Sequence, residues 1–416
     1  MKKYGVIFLG IISLFAFYKC SNEKENLIDN QKQEEIQENV NGQDKAWRLI
    51  KKFVEQVNSK SSRSNIFDFS DLKIKKIDKD IIKVDNLCQN LTRSSKQIDI
   101  NVDTYRFTFE KDSKQGFAIA TDDQRVDRVL AFVEEGALAD TAYVPGMAYM
   151  VKGFKDVLAE DLNIFYTKGT SANEFYQEWT LPPFIKTQWH RVEPYNNNYK
   201  SPTSACTETL NGKYQASSTA ISIAQSIANY PQDYDVPAAL LKKHNITQLI
   251  AQSKIYEWDT ELAPKVAAFV KEFDPDKTTK FKCTGSSTEI ADLGDVLTSL
   301  GFTSKYYRYQ NKHDIITTFK SLRFSCPTVN AALDRSFSQA EAWIVDGFWG
   351  MVNSNVTDIM LTSVHCVFAN GGTGNGWYAS PSEPIDGNGK PVYNPSQYYH
   401  KMSLTFMPIC PWCVWE

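Results

Sequence analysis

The stretch GKYQASSTAISIAQSIANYP, residues 212–231, limits the fold more tightly than any other part of this sequence. Apolar residues recur there at helical spacing: Ala220, Ile223, Ala224, Ile227 and Ala228. This spacing predicts a helix over 218–229 that packs one face into a core. Ser217 or Ser218 stands at its N-terminus, and serine is a preferred residue for capping a helix there. The closing Tyr-Pro pair is typical of a helix end.

Other segments show either helical or alternating apolar patterns. Residues 46–57 have helical spacing, whereas Tyr105, Phe107 and Phe109 alternate with polar residues. KDSKQG then forms a turn and FAIATDD a second strand, which predicts a β-hairpin, and VDRVLAFVEEG follows as another apolar segment. Towards the C-terminus, AWIVDGFWG and SVHCVFANGGTGNGWY are typical of strands broken by glycine turns. A helical stretch followed by strands in this way indicates an α+β fold.

The N-terminus has the pattern of an export signal. Two lysines precede an apolar run from Tyr4 to Tyr18, which is shorter than the ~20 residues that a spanning helix needs. Cys20 follows and is the predicted lipid anchor, as in a bacterial lipoprotein signal of residues 1–20. The residues at 17–19 are bulkier than the small residues usual before such a cysteine, so a plain secreted or uncleaved form is the alternative. No later run is long and apolar enough to span a bilayer.

The chain divides by composition into further segments. Residues 21–45 are polar and charged and predict a tether. A first domain is predicted at 46–160, a linker at 161–185 and a second domain at 186–416. A length of 416 residues is consistent with about two or three domains.

Charge, cysteines and histidines exclude several classes of site. A net charge of −3 gives no electrostatic reason to expect nucleic acid. Seven cysteines remain after Cys20, so at least one is unpaired. Cys410 and Cys413 form a CxxC at the chain end without a second CxxC for zinc. We therefore predict no metal and no cofactor. We also predict that the histidines, which lack a cysteine or carboxylate at a recognisable spacing, are structural or solvent-exposed: His190, His244, His313, His365 and His400.

Five segments follow one another in an order that is informative as a set. They are QGFAIATDDQRVDRVLAFVEEG, TQWHRVEPYN, SSTAISIAQSIANYP, EAWIVDGFW and VHCVFANGGTGNGWY. In that order they resemble the streptopain family of bacterial cysteine peptidases with its inhibitory prodomain attached. The first segment is similar to the prodomain, and the other four are similar to the mature enzyme. The resemblance implies a papain-like, two-lobed α+β domain that is preceded by an α+β prodomain over 46–160.

The resemblance also implies four chemical positions, and this sequence departs from the family at each. Ser218 stands where the nucleophilic cysteine belongs, and Glu341 stands where the histidine belongs. Val367 replaces the orienting asparagine, and Arg191 replaces the oxyanion glutamine. Landmarks that hold the fold are kept: Trp189, Pro194, Tyr195, Gln225, Trp343, Asp346, Gly347, Gly371 and Gly372.

The substituted residues make a poor hydrolase. Ser218 would need a base, and a carboxylate with a reference pKa of about 4.3 is a weak base near neutral pH. A valine cannot orient a base, although Arg191 could donate to an oxyanion. In a comparable hydrolase, losing the nucleophile or the base costs about 10⁶ in turnover. We expect Glu341 to pair with Arg191 and fill the former site.

The sequence therefore predicts an exported pseudopeptidase, a lipoprotein of the outer membrane or cell surface that contacts the membrane only through its lipid anchor. It would bind a peptide or protein in the former active-site cleft and stay in one piece from about residue 20 to 416. An active peptidase with relocated residues, such as a thiol at Cys206 or Cys366, is one alternative. An inhibitor or decoy that uses the prodomain against an active relative is the other. Whether the anchor faces the periplasm is left open.

Overall fold

The computed structural model describes twelve stretches of the chain: residues 42–59, 67–87, 98–168, 176–229, 244, 248–249, 252–288, 293–307, 328–332, 340–353, 359–380 and 401–408. The predicted signal and lipid anchor lie outside them, as do Cys88, Cys326, Cys410, Cys413, His313 and His400. Among the helices of these stretches, none has both the length and the apolar character required to cross a bilayer.

The described helices and strands form an α+β arrangement, in which most of the strands follow one another in two groups along the chain. The helices are α1 Gly42–Ser59, α2 Pro145–Lys152, α3 Phe154–Lys168, α4 Ser218–Ala228, α5 Leu262–Lys271 and α6 Gly294–Ser299, with a 3₁₀ turn at Leu138–Ala142. The strands are β1 Lys73–Leu87, β2 Ile98–Lys111, β3 Lys114–Thr121, β4 Val129–Val133, β5 Tyr176–Leu181, β6 Phe302–Tyr307, β7 Thr328–Ala332, β8 Ala340–Asn353, β9 Ile359–Phe368, β10 Gly376–Ala379 and β11 Lys401–Pro408. The predicted α+β fold is confirmed.

Two local predictions are also confirmed. The α1 residues that the pattern placed on one face are buried: Ala46, Ile50, Phe53, Val54 and Val57. Strands β2 and β3 form the predicted hairpin, with Lys111 opposite Lys114. The two residues between them, Asp112 and Ser113, have φ of 50° and 62°. Positive φ at both positions matches the right-handed twist of a two-residue hairpin.

The strands form one sheet that joins the two halves of the molecule. Its order is β1-β2-β3-β4-β10-β9-β8-β7-β11-β6, and β5 pairs with β8. The N-terminal part, residues 42–168, supplies β1 to β4, and the C-terminal part, residues 176–408, supplies the other strands. The two parts meet where β4 pairs with β10, with Gly376 opposite Val133 and Trp377 opposite Phe132. Backbone hydrogen bonds therefore continue from one part into the other.

The two parts also share apolar cores. One cluster combines residues from β4, α2 and α3 with residues from β8, β9 and β10, including Leu130, Met147, Leu158, Trp343, Phe368 and Tyr378. A second cluster places Trp377 among the aromatic residues under α1. A third lies within the C-terminal part, around α4 and α5. Because burial of apolar area is the main force in folding, the first two clusters hold the N-terminal part onto the C-terminal part.

The stretch predicted as a linker, 161–185, contains regular structure. It includes the end of α3 and the whole of β5, which pairs with β8 from Tyr176 opposite Asn353 to Leu181 opposite Phe348. Helix α1 likewise begins at Gly42, inside the predicted tether. Only residues 169–175 of the linker lie outside the described residues. The domain boundaries at 46, 160 and 186 stay predictions.

Candidate functional site

Helix α4 carries Ser218 at its first position and is capped by the residue before it. The Ser217 hydroxyl accepts a hydrogen bond from the Ala220 backbone N–H at 2.9 Å, and Ser217 itself has extended backbone angles. A capping role for Ser218 is therefore wrong, since Ser217 has that role. Every residue of α4 is buried, which fits a helix that packs against α5 on one side and against the sheet on the other.

A buried carboxylate completes the cap. Asp274 accepts hydrogen bonds from the Ser217 N–H at 2.8 Å and from the Ser217 hydroxyl at 2.5 Å. The hydroxyls of Tyr199 and Thr288 also donate to it, at 2.6 Å and 2.5 Å. Burial raises the pKa of Asp274, and these hydrogen bonds oppose the shift. An acceptor at this point satisfies the first turn of α4 and complements the positive end of the helix dipole.

Sequence reasoning missed Asp274. No motif marks it, and its partners Tyr199 and Ser217 lie 75 and 57 residues away along the chain. The only local feature is an acidic residue that follows the apolar residues of α5, and that pattern is common at helix ends. Its role depends on a tertiary contact that a single sequence does not display.

The Ser218 hydroxyl is enclosed between the helix and strand β8. Its side-chain oxygen accepts a hydrogen bond from the Ala342 backbone N–H at 3.0 Å, and the residue is buried. Its interaction with the carboxylate of Glu341 tends to lower the pKa of that acid. Ser218 and Glu341, which the sequence predicts to be neighbours, therefore lie beside each other.

Arg191 and Glu341 form the ion pair that the sequence suggested. Arg191 Nη1 lies 3.3 Å from Glu341 Oε2, and the two side chains are 13% and 11% exposed. Burial raises the pKa of Glu341, while the Arg191 charge and the Ser218 hydrogen bond act in the opposite direction. Arg191 Nε has no hydrogen-bond partner among the described residues. The pair therefore occupies the site, and the guanidinium keeps an unused donor there.

Val367 lies in an apolar environment. It is buried and forms a small cluster with Ile344, against which Phe184 and Ile185 pack. Since none of these side chains carries a polar atom, nothing here could orient a base. Of the four family positions, the structure brings three together in one polar contact, and Val367 belongs to the apolar wall on β9.

His190 is next to Arg191, but its ring is hydrogen-bonded to the backbone. Its Nδ1 accepts from the Arg191 N–H at 2.9 Å and from the Val192 N–H at 3.3 Å. Its side chain also hydrogen-bonds to Asn370. Burial, together with the charge of Arg191, lowers the pKa of His190 to about 4, so the ring is neutral at physiological pH. These bonds make it a structural residue that fixes the path of the chain before α4.

Two other histidines have carboxylate partners that the sequence did not reveal. His365 Nδ1 lies 2.5 Å from Asp346 Oδ1. His244 Nε2 lies 3.4 Å from Glu272 Oε1. Neither carboxylate lies at a sequence spacing that indicates the contact. The ladder between β8 and β9 explains the first pair, because it places Gly347 opposite His365 and so brings Asp346 beside that histidine.

Two landmark residues of the resemblance hold backbone segments in place. The Gln225 side-chain oxygen accepts from the Trp189 backbone N–H at 2.9 Å and ties α4 to the segment that leads into it. Asp346 Oδ2 accepts from the backbone N–H groups of residues 184–185 at 3.0 and 2.9 Å. Both side chains are buried and would cost free energy if left unpaired. Their retention reflects the fold and requires no catalytic role.

Among the described residues, the cysteines do not provide a relocated nucleophile. Cys206 is bonded to Cys283 in a disulfide that closes across 77 residues. Cys366 is outside any disulfide, but it is fully buried in the core. The donor atoms of Cys206, Glu208 and Cys283 lie within 4.8 Å of one another, yet the two sulfurs are bonded to each other. In this form they cannot act as thiolate ligands for a metal.

The raised pKa of Glu341 leads to a test of its buried charge. A carboxyl whose folded pKa is raised stabilises the fold fully below its unfolded pKa and loses that contribution as pH rises through the folded value. Glu341→Gln abolishes this titration. We expect the free energy of unfolding of the variant to rise relative to that of the unsubstituted chain as the pH increases from 4 to 8. Urea unfolding measures both values. Arg191→Gln serves as the matched control, because it retains the carboxyl and keeps the pH-dependent loss.

A stability difference between Glu341→Gln and the unsubstituted chain that stays constant across this pH range would contradict the raised pKa. A tenfold change in the acid dissociation constant corresponds to ~1.4 kcal/mol, a difference in free energy that urea unfolding can measure.

Comparison with known proteins gives a family match and a similarity to a solved structure. Residues 34–157 match the family model described as the Spi protease inhibitor, which covers most of the predicted prodomain. A mutant fragment of Prevotella intermedia prointerpain A is similar in structure, with a TM-score of 0.45 and 15% sequence identity. That similarity covers 72% of this chain and 94% of the fragment. None of the curated proteins matches this chain.

Proposed function

We propose that this chain is an exported pseudopeptidase. In this proposal the C-terminal part is a papain-like, streptopain-type domain that has lost its chemistry, and the N-terminal part is its retained prodomain. The molecule would bind a peptide or protein and leave it uncut. The similarity of residues 34–157 to a protease-inhibitor family supports a connection with peptidases.

The observation that carries the proposal is the state of the Ser218 hydroxyl. It is buried between the Ala342 N–H and the Glu341 carboxylate, and Glu341 is held by Arg191. A serine nucleophile needs a base that can take its proton, most often an imidazole that a third group orients. Among the described histidines, His190 is bonded to the backbone, while His244 and His365 face other carboxylates. The polar contacts at Ser218 therefore favour a packed remnant over an active hydroxyl.

Export is supported by the disulfide. Structural disulfides form and persist in oxidising compartments and are rare in the cytosol of most organisms. The Cys206–Cys283 bond therefore fits a secreted or envelope protein. Together with the N-terminal signal pattern, it supports our proposal of an envelope or cell-surface lipoprotein anchored at Cys20.

The proposal predicts that the purified chain neither cuts itself nor reacts with hydrolase probes. We expect no band at ~27 kDa, the mass of a domain of ~240 residues, after prolonged incubation of the chain alone. We also expect no labelling by a fluorophosphonate or by a thiol-directed epoxide. Gel electrophoresis and intact-mass spectrometry check both results. Ser218→Ala is the matched control and should behave like the unsubstituted chain, and an active streptopain-like peptidase shows that the probes work.

Stoichiometric labelling that is lost in Ser218→Ala would revive an active enzyme. A ~27 kDa product formed by the purified chain alone would have the same meaning.

Inhibition of an active peptidase is a second candidate function, favoured by the family that residues 34–157 match. In the intact chain, the outer edge of β4 is paired with β10, and α2 is packed against β8 and β10. An inhibitor that acted through this region would have to present a different surface or release the C-terminal part. Adding the full chain to an active streptopain-like peptidase and measuring its peptide turnover separates this candidate from the first.

A further inference from the structure

The disulfide lies near the segment that carries Ser218. It joins two segments, 200–216 and 280–287, and the first of them leads into the N-terminus of α4. The Gln215 N–H donates to the Lys282 carbonyl at 3.3 Å across the gap between them. Within the second segment, Lys280 and Ser287 exchange backbone hydrogen bonds, so residues 281–286 form a closed loop. We refer to residues 280–287 as the latch loop.

The latch loop passes close to Arg191. Gly285 has φ of +127°, and a β-carbon there would lie 3.0 Å from Arg191 Nη1 and 3.8 Å from the Gln215 side-chain oxygen. The positive φ favours glycine, and the absence of a β-carbon leaves room for the guanidinium. The same Nη1 reaches Glu341 at 3.3 Å, so the guanidinium lies between the loop and the carboxylate. Cys283 is only two residues from Gly285, and its bond to Cys206 therefore holds the latch loop next to Arg191.

The two cysteines of the disulfide differ in burial. Cys206 is buried, whereas Cys283 is half-buried between the exposed residues Lys282 and Thr284. Thiol–disulfide exchange starts by attack on one sulfur and depends on access to it, which favours attack at Cys283. With a small dithiol as reductant, the Cys206–Cys283 bond breaks and the two sulfurs take up two electrons and two protons. The dithiol is oxidised to its own disulfide.

We propose that the Cys206–Cys283 disulfide is a redox-controlled latch, which when closed holds the latch loop over the Arg191–Glu341 pair and when reduced exposes that pair to a peptide ligand. A free guanidinium next to a carboxylate offers both charges that a peptide chain can pair with. The ligand-binding role rests on the function proposed above. The opening of the loop does not, because it follows from the contacts of Cys283, Gly285 and Arg191.

Arginine labelling of the full chain tests the latch. The chain is treated with phenylglyoxal before and after reduction by a phosphine and alkylation of the thiols, and modified arginines are mapped by mass spectrometry. We expect Arg191 to be protected in the oxidised chain and to react about tenfold faster after reduction, equivalent to ~1.4 kcal/mol easier local opening. Arg128, which is buried in the N-terminal part, is the internal control and should stay protected.

Two variants sharpen the result. Cys206→Ser combined with Cys283→Ser should give the fast labelling without reductant and no further response to it. Cys366→Ser removes a buried thiol that is outside any disulfide, and it should respond to reduction as the unsubstituted chain does. Unchanged labelling of Arg191 after verified reduction would overturn the latch. Parallel labelling of Arg191 and Arg128 would also overturn it, because it would show global unfolding. Neither outcome alters the hydrolase test, so the two proposals fail separately.

Discussion

Replacing Asp274 by alanine is expected to lower the free energy of unfolding by about 3–5 kcal/mol. The carboxylate is fully buried and accepts from Ser217, Tyr199 and Thr288. Its removal leaves these donors unsatisfied in the core and takes away the group that completes the cap of α4. Urea or guanidinium unfolding, followed by circular dichroism, measures the loss as a shift of the midpoint.

Asp276→Ala is the matched control for this experiment. Asp276 is also an aspartate that follows α5, but it is largely exposed and pairs with Lys200 at 2.7 Å and Lys271 at 2.9 Å. Exposed ion pairs contribute little, so we expect a loss of about 1 kcal/mol or less. Equal losses in the two variants would mean that the buried network around Asp274 contributes no more than a surface pair, and the role assigned to it would be wrong.

Gly376→Ala is expected to destabilise the protein by about 2–3 kcal/mol, because it forces overpacking at the junction of the two parts. A β-carbon at this position would lie 2.4 Å from the Phe132 carbonyl oxygen and 2.9 Å from the Val133 Cα. These are backbone atoms and cannot rotate away, so β10 must move from β4. Unfolding midpoints measure the loss, and limited proteolysis should detect faster cleavage of the N-terminal part.

Gly294→Ala provides a contrast with the opposite sign. Gly294 is the first residue of α6, and a β-carbon there would meet only the Ser304 hydroxyl oxygen, at 3.7 Å. Alanine has the higher helix propensity by up to ~1 kcal/mol, so this variant should be neutral or slightly more stable. If Gly376→Ala were as harmless as Gly294→Ala, the close pairing of β4 with β10 would not be present in solution.

The sequence was most informative where a structure depends on neighbouring residues. Helix α4 and the β2–β3 hairpin follow from local periodicity and turn chemistry, and both were predicted close to their observed bounds. The sequence did not reveal contacts between segments that are far apart along the chain. The pairing of β4 with β10 joins short strands from distant parts of the chain, and either strand alone is too brief to reveal its partner.

The candidate site shows the same division. The resemblance located Ser218, Glu341 and Arg191, and their mutual contacts are present in the structure. It could not supply the identity of the cap, since Ser217 and Ser218 are equivalent by residue type and differ only in backbone angles and in the contact with Asp274. Disulfide pairing was also undetermined, because seven cysteines allow many combinations.

The single sheet has a consequence for how the chain is made. Strand β4 gains its outer neighbour only when β10 becomes available, and β10 begins at Gly376. At ~5–20 residues per second, the ribosome needs roughly 10–50 s to extend the chain from β4 to that point. During this time the N-terminal part of the nascent chain has an unpaired edge at β4. Such an edge can pair with extended segments of other chains and lead to aggregation. A cell that produces this protein must therefore shield the edge, or keep the chain unfolded, until β10 has been synthesised.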